Sequence, residues 1–191
     1  MLAQKQYNHY TFKEYLTFED QSETKNEYHH GYIEAMAGAS WEHNQIASNL
    51  HAFIHNLLKK KACHVFISNM RVWIEANKRA TYPDIVVICG QPEFVESHRD
   101  TITNPKVIIE VLSKSTEGED RGGKFHAYWK LDTLEEYILV DQYTMRLDYF
   151  RRENEKLWEL QVFTKPDDKV KLKSLNVEIP LSEIYLDVVW N

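Results

Sequence analysis

The run Val107-Ile108-Ile109-Glu110-Val111 limits what this chain can become more than any other stretch. It is β-prone and apolar on both alternating faces, the pattern of a strand covered on both sides. A second run, Pro83-Asp84-Ile85-Val86-Val87-Ile88, has the same character. Each carries one carboxylate, Asp84 or Glu110, at the edge of an apolar segment. A buried carboxylate without a partner is costly or neutral, whereas a divalent cation compensates its charge. A metal site is therefore the first chemistry to consider.

The rest of the chain supplies cover for these strands. Thr11-Phe12-Lys13-Glu14 has capping-box spacing and opens a short helix through Phe18. Asn26 to Met36 resembles a hairpin with Gly31 near its turn and Glu27 on its first arm. Ser40 is an N-cap for the clearest helix, where Ile46, Ala47, Leu50, Phe53, Ile54, Leu57 and Leu58 recur at helical spacing until Lys59-Lys60-Lys61. Residues 64 to 68 and 71 to 75 read as strands of a short hairpin or as one bent strand, and residues 90 to 105 as a polar surface connection. After the strand at 106 to 112, a polar loop at Ser113 to Asp120 leads into a helix over about Gly118 to Trp129, in which Gly122 and Gly123 are unfavourable. Residues 135 to 140 form another strand, 145 to 150 and 157 to 163 a hairpin, 176 to 179 a strand, and a short helix begins near Pro180. A helix between two buried strands favours a three-layer α/β (α+β) mixed sheet over an all-β barrel, with an N-terminal helix and hairpin and a C-terminal antiparallel extension.

At 191 residues, 43% hydrophobic and 27% charged, the chain fits a single domain over 1-191 that can bury a core without staples. Cys63 and Cys89 make no disulfide framework and read as separate buried thiols of a reduced intracellular protein. The N-terminus lacks the apolar segment of a signal peptide and no run is long enough to span a bilayer, so the expected location is cytoplasmic, with no membrane partner. A net charge of -6 argues against a broad polybasic surface and taken alone favours a non-nucleic-acid function, yet it leaves a nucleic-acid ligand open, because a nuclease concentrates carboxylates around its metal and can reserve basic residues for one cleft.

Mg2+, with Mn2+ as a substitute, suits two carboxylates completed by water and a phosphate oxygen, and a bound water could attack phosphorus. Lys124 is the best basic partner, able to orient that water or stabilise the transition state, or else an ordinary helix charge. His43, near the start of the long helix's apolar stripe, is either packed or in contact with a ligand. There is no Gly-rich phosphate loop, zinc cysteine pattern or serine nucleophile elbow.

Together, Gly31, Gly38-Ala39-Ser40 with His43, Tyr82-Pro83-Asp84-Ile85-Val86-Val87, Ile109-Glu110-Val111-Leu112-Ser113-Lys114-Ser115-Thr116, Asp120-Arg121-Gly122-Gly123-Lys124-Phe125 and Glu136-Tyr137 resemble the Uma family of restriction-endonuclease-like proteins, within the PD-(D/E)XK nuclease superfamily. The resemblance covers roughly residues 10 to 185. It implies a restriction-endonuclease-like core, with Asp84 and Glu110 as metal-binding acids and Glu27 as an additional acid near the site. The superfamily's lysine two residues after the glutamate is Leu112 here, and Lys124 in the following helix would take its place. Ser113, Ser115 and Thr116 could contact phosphate or cap the next helix. Asp120 and Arg121 could form a local salt bridge, although Arg121 beside a phosphate cleft would be useful.

The reading that follows is a metal-dependent DNA endonuclease, for which the resemblance implies products with a 5′ phosphate and a 3′ hydroxyl. Its alternatives are a noncatalytic nucleic-acid-binding or regulatory protein on the same scaffold, and a structural or self-associating protein. Double-strand cleavage would suit a homodimer.

Overall fold

In the computed structural model, which describes residues 9–190, the strand at Val107–Leu112 is buried along its whole length. Its odd positions Val107, Ile109 and Val111 join one core and its even positions Ile108 and Leu112 another, so the run is apolar because both faces are covered.

The elements in order are α1 (Phe12–Glu19), β1 (Asn26–His29), β2 (Tyr32–Ala35), α2 (Trp41–Leu58), β3 (Cys63–Ile67), β4 (Arg71–Ile74), β5 (Arg79–Thr81), β6 (Ile85–Cys89), β7 (Phe94–Val95), β8 (His98–Ile102) and β9 (Val107–Leu112). Next come α3 (Glu117–Glu119), a π-helical turn (Asp120–Lys124), α4 (Phe125–Tyr128), β10 (Glu136–Asp141), β11 (Leu147–Asn154), β12 (Leu157–Phe163), β13 (Lys169–Leu172), β14 (Val177–Pro180) and α5 (Leu181–Ile184).

Local chemistry explains the helices. Thr11 accepts from the Glu14 amide at 3.2 Å while Glu14 accepts from the Thr11 amide at 2.7 Å, the reciprocal capping that starts α1. Ser40 accepts from the His43 amide at 3.2 Å and starts α2. The β1–β2 turn, His30-Gly31, has φ of 48° and 96°, a conformation that only glycine adopts cheaply at its second position.

The central sheet runs β12-β11-β10-β9-β6-β3. Only β9 and β10 are parallel in it, joined by the crossover through α3 and α4. Ile46, Leu50 and Ile54 of α2 cover one face together with α5, β13 and β14, and each such buried side chain contributes about 1.5–3 kcal/mol. The other face packs against α4 and against Val72, Ile74 and Ile102 of a second sheet, ordered β2-β1-β5-β4-β8-β7. The result is the mixed α/β fold expected, with its N-terminal helix and hairpin and its C-terminal antiparallel strands.

Three expectations are corrected. The segments at 64 to 68 and 71 to 75 are neither a hairpin nor one bent strand: β3 and β4 lie in different sheets, and the chain switches between them at Ser68, where φ is 54°. The connection at 90 to 105 contains β7 and β8, and β8 buries Thr101 and Ile102 alongside β4. Cys63 and Cys89 are not separate thiols. They are register partners on β3 and β6 and form a half-buried disulfide.

Candidate functional site

Strand register brings the two acids together. Asp84 lies one residue before the Ile85–Ile109 pair of β6 and β9, which sets it opposite Glu110. Its amide faces Glu110 Oε2 at 3.3 Å, and its own Oδ2 accepts from the Val111 amide at 2.8 Å. Pro83 just upstream has no amide to donate and holds an extended backbone, which fixes where β6 begins. The other oxygen of Asp84 meets His43 Nε2, from the first turn of α2, at 2.9 Å.

The crossover turn brings Lys124 over the same end of the sheet. The ammonium lies 3.1 Å from Glu27 Oε1, 3.2 Å from Asp120 Oδ1 and 3.4 Å from Glu110 Oε1. The site thus gathers one strand end, one mid-strand acid, one hairpin acid from the second sheet and one helical lysine. Glu27 also accepts from the Tyr82 amide at 3.3 Å and lies 4.0 Å from Arg79 Nη2.

Burial sets the electrostatics. Glu110 is 3% exposed, and desolvation pushes its carboxyl up to about 8 despite the opposing pull of Lys124. Burial also raises Asp120, again against Lys124. Burial would lower the ammonium of Lys124, but Glu110, Glu27 and Asp120 together hold it well above its ordinary value. The Tyr128 phenol, raised by burial and by Glu110, stays protonated and donates to Glu110 Oε1 at 2.9 Å.

Glu27, Asp84, Glu110, Lys124 and His43 therefore occupy one cluster. Ser113 lies in the loop just past β9, where its hydroxyl is 3.0 Å from those of Ser115 and Thr116 and accepts from the Thr116 amide at 3.3 Å. Arg121 pairs with Glu117 at 2.8 Å and Asp148 at 2.5 Å rather than with Asp120. Asp120 and Tyr128 join the cluster although the sequence did not mark them as members of it. The signal for Asp120 was its position four residues before Lys124, close enough for their side chains to meet on one helix face. Tyr128 read as core packing, which its burial satisfies without revealing that its hydroxyl meets Glu110.

Among the described residues, no group of three or more His, Cys, Asp or Glu is arranged to hold a metal ion. Asp84 and Glu110, on neighbouring strands, offer hard oxygen donors of the kind Mg2+ uses while keeping several waters. Glu110 Oε2, held only by the 3.3 Å contact to the Asp84 amide, is the least committed of them.

The sequence model of the Uma2 family, described as "Putative restriction endonuclease", matches residues 12–182. Two proteins of Synechocystis sp. (strain ATCC 27184 / PCC 6803 / Kazusa) are similar to the chain. One, uncharacterized protein sll1609, is 36% identical over 150 residues, covering 78% of this chain and 85% of that protein. The other, uncharacterized protein slr1290, is 32% identical over 173 residues, covering 91% and 90%. A crystal structure described as "a putative nuclease belonging to DUF820", from Anabaena variabilis ATCC 29413, shares the fold with a TM-score of 0.77 at 20% identity, over 94% of this chain and 99% of that one. The matched segment runs from α1 to α5 and includes both acids, Lys124 and the strands that hold them, and on that match the chain belongs to the Uma2 family.

Proposed function

We propose that the protein is a divalent-metal-dependent endonuclease that hydrolyses DNA phosphodiester bonds. The observation that carries this reading is the convergence of Asp84, Glu110 and Lys124, far apart in sequence, at one end of the central sheet of a Uma2 chain. Asp84 and Glu110, with Glu27 nearby, would hold Mg2+ or Mn2+, which when bound supplies an activated water and charge neutralisation at phosphorus. Lys124 stays charged in this setting and stabilises negative charge developing on the phosphoryl oxygens. Tyr128 and Asp120 act on the cluster from behind, the first by donating to Glu110 and the second by holding the ammonium. His43 orients Asp84. The products are a 5′ phosphate and a 3′ hydroxyl, and a homodimer would serve two-strand cleavage.

The second reading, a DNA-binding protein that does not cleave, is favoured by one observation: Lys124 already lies within 3.4 Å of three carboxylates, Glu110 among them. A cleavage time course on supercoiled, linear and single-stranded DNA with Mg2+, Mn2+ or EDTA separates the two. Endonuclease action requires products that appear with metal and vanish with EDTA. Binding without products under every condition supports the second reading.

A further inference from the structure

Gln142, just after β10 and 2% exposed, ties three segments to the end of the sheet that carries the acids. Its side-chain amide donates to the Leu112 carbonyl at 2.7 Å, two residues beyond Glu110. Its side-chain oxygen accepts from the Ser40 hydroxyl at 2.5 Å, and its backbone carbonyl accepts from the Trp190 indole N–H at 2.8 Å. Three of the residues fixed by these bonds, or adjacent to them in sequence, are partly open aromatics, of which Trp190 also packs against the Tyr185 ring at 5.4 Å. Trp41 follows Ser40 and is 72% exposed, Tyr143 follows Gln142 and is 46% exposed, and Trp190 is 39% exposed.

A single exposed ring needs no explanation. Three rings placed around one buried amide are a different case, because that amide also anchors the strand bearing Glu110. Trp41 shares the first turn of α2 with His43, which reaches Asp84 at 2.9 Å, and that turn is the one Ser40 caps beside Gln142. A cation joins the rings: the Lys114 amide donates to the Tyr143 hydroxyl at 3.3 Å, and the Lys114 ammonium lies 5.3 Å from the Tyr143 ring centroid.

Intact duplex keeps its base faces stacked inside and offers a protein phosphates and groove edges, which give projecting ring faces nothing to stack on. An unpaired strand offers a π-face at each nucleotide with a phosphate between neighbours, chemistry that exposed aromatics with a cation beside them can meet. We infer that Trp41, Tyr143 and Trp190 form a base-stacking platform, so that the substrate class of this site is an unpaired DNA strand, free or within a bubble or flap. This inference rests on the reading of the cluster as a site that acts on DNA.

The test is fluorescence anisotropy in EDTA, with a labelled oligothymidylate and a blunt duplex of matched length, on the wild-type chain and on the W41A, W41F, Y143A and Y143F variants. The oligothymidylate binds more tightly than the duplex. W41A and Y143A each weaken that binding by about fivefold or more, while W41F and Y143F, which keep a ring, stay close to wild type. Trp41 is mostly solvent-exposed, so W41A keeps its fold. Tighter duplex binding, binding of neither DNA, or loss of a ring that alters self-association and leaves oligothymidylate affinity unchanged would each overturn the inference. Adding Mg2+ to the same complexes tests the nuclease reading separately, since a strand that is stacked and never cut sinks that reading and leaves the platform standing.

Discussion

Replacing Lys124 with methionine probes the cluster most sharply. The substitution keeps much of the side chain's length and removes a charge that lies 3.1 to 3.4 Å from three carboxylates, two of them, Glu110 and Asp120, almost fully buried. Removing one partner from a buried ionic group costs about 3–5 kcal/mol, because the charges left behind are uncompensated. For a chain of this size that lowers Tm by about 6 to 20 °C. The pH dependence follows from the carboxylates. The folded-state value of Glu110 is raised by burial from 4.5 to about 8, so the stability it contributes is fully present below its unfolded value and lost as pH rises through the folded one. Without the ammonium, Glu110 and Asp120 move further up. The K124M deficit is therefore small near pH 5 and grows toward pH 8 and above. Mg2+ should recover part of it by binding only the folded state. The assay is urea unfolding of both proteins at acid and alkaline pH, in EDTA and in Mg2+. A deficit that is independent of pH, or absent at alkaline pH, would show that the buried carboxylates do not set the cost of losing the ammonium.

Other consequences are independent of this one. Protein purified without reductant should show no titratable thiol. Reducing the Cys63–Cys89 bond, which closes a separation of 26 residues, should cost roughly 3.5 kcal/mol, and two free thiols in the native protein would contradict the pairing. Tyr128→Phe leaves Glu110 Oε1 and the Thr81 hydroxyl, each 2.9 Å from the phenol oxygen, short of a buried partner. Denaturant unfolding should show a loss of about 1–3 kcal/mol, and an unchanged midpoint would mean that the phenol is replaceable. Titrating Mg2+ calorimetrically near neutral pH should release protons as Glu110 gives up its own, seen as a heat that varies with the buffer's ionisation enthalpy. A buffer-independent heat would show that Glu110 does not exchange its proton for the metal.

What the sequence discloses follows from how local each interaction is. The Thr11 and Ser40 caps and the apolar stripe of α2 lie within a few residues of what they control, so both helices are readable. The Val107–Val111 run reports burial on both faces for the same reason. Sheet membership is not local: nothing between Ile67 and Arg71 says that the chain leaves one sheet for another, and the polar run His98-Arg99-Asp100 hides a strand whose last two residues alone are buried. The pairing of Cys63 with Cys89 depends on the β3–β6 register, which their spacing does not encode. Asp84 and Glu110 are legible because a carboxylate in an apolar strand is conspicuous. Asp120 and the Tyr128 hydroxyl are not, because their role depends on how the π-helical turn at Asp120–Lys124 returns over the sheet.

On the reading proposed above, Asp84 and Glu110 hold the metal with which this chain cuts DNA. The most direct test is cleavage of plasmid and of single-stranded DNA by the wild type beside D84A and E110A variants whose folding is verified by circular dichroism, with Mn2+ binding followed in the same samples by electron paramagnetic resonance. The wild type is expected to bind Mn2+ and cut, leaving 5′ phosphates, and each variant to lose both the bound ion and the products. Cleavage undiminished in either folded variant would contradict that reading, as would a wild type that binds Mn2+ and DNA and cuts neither form.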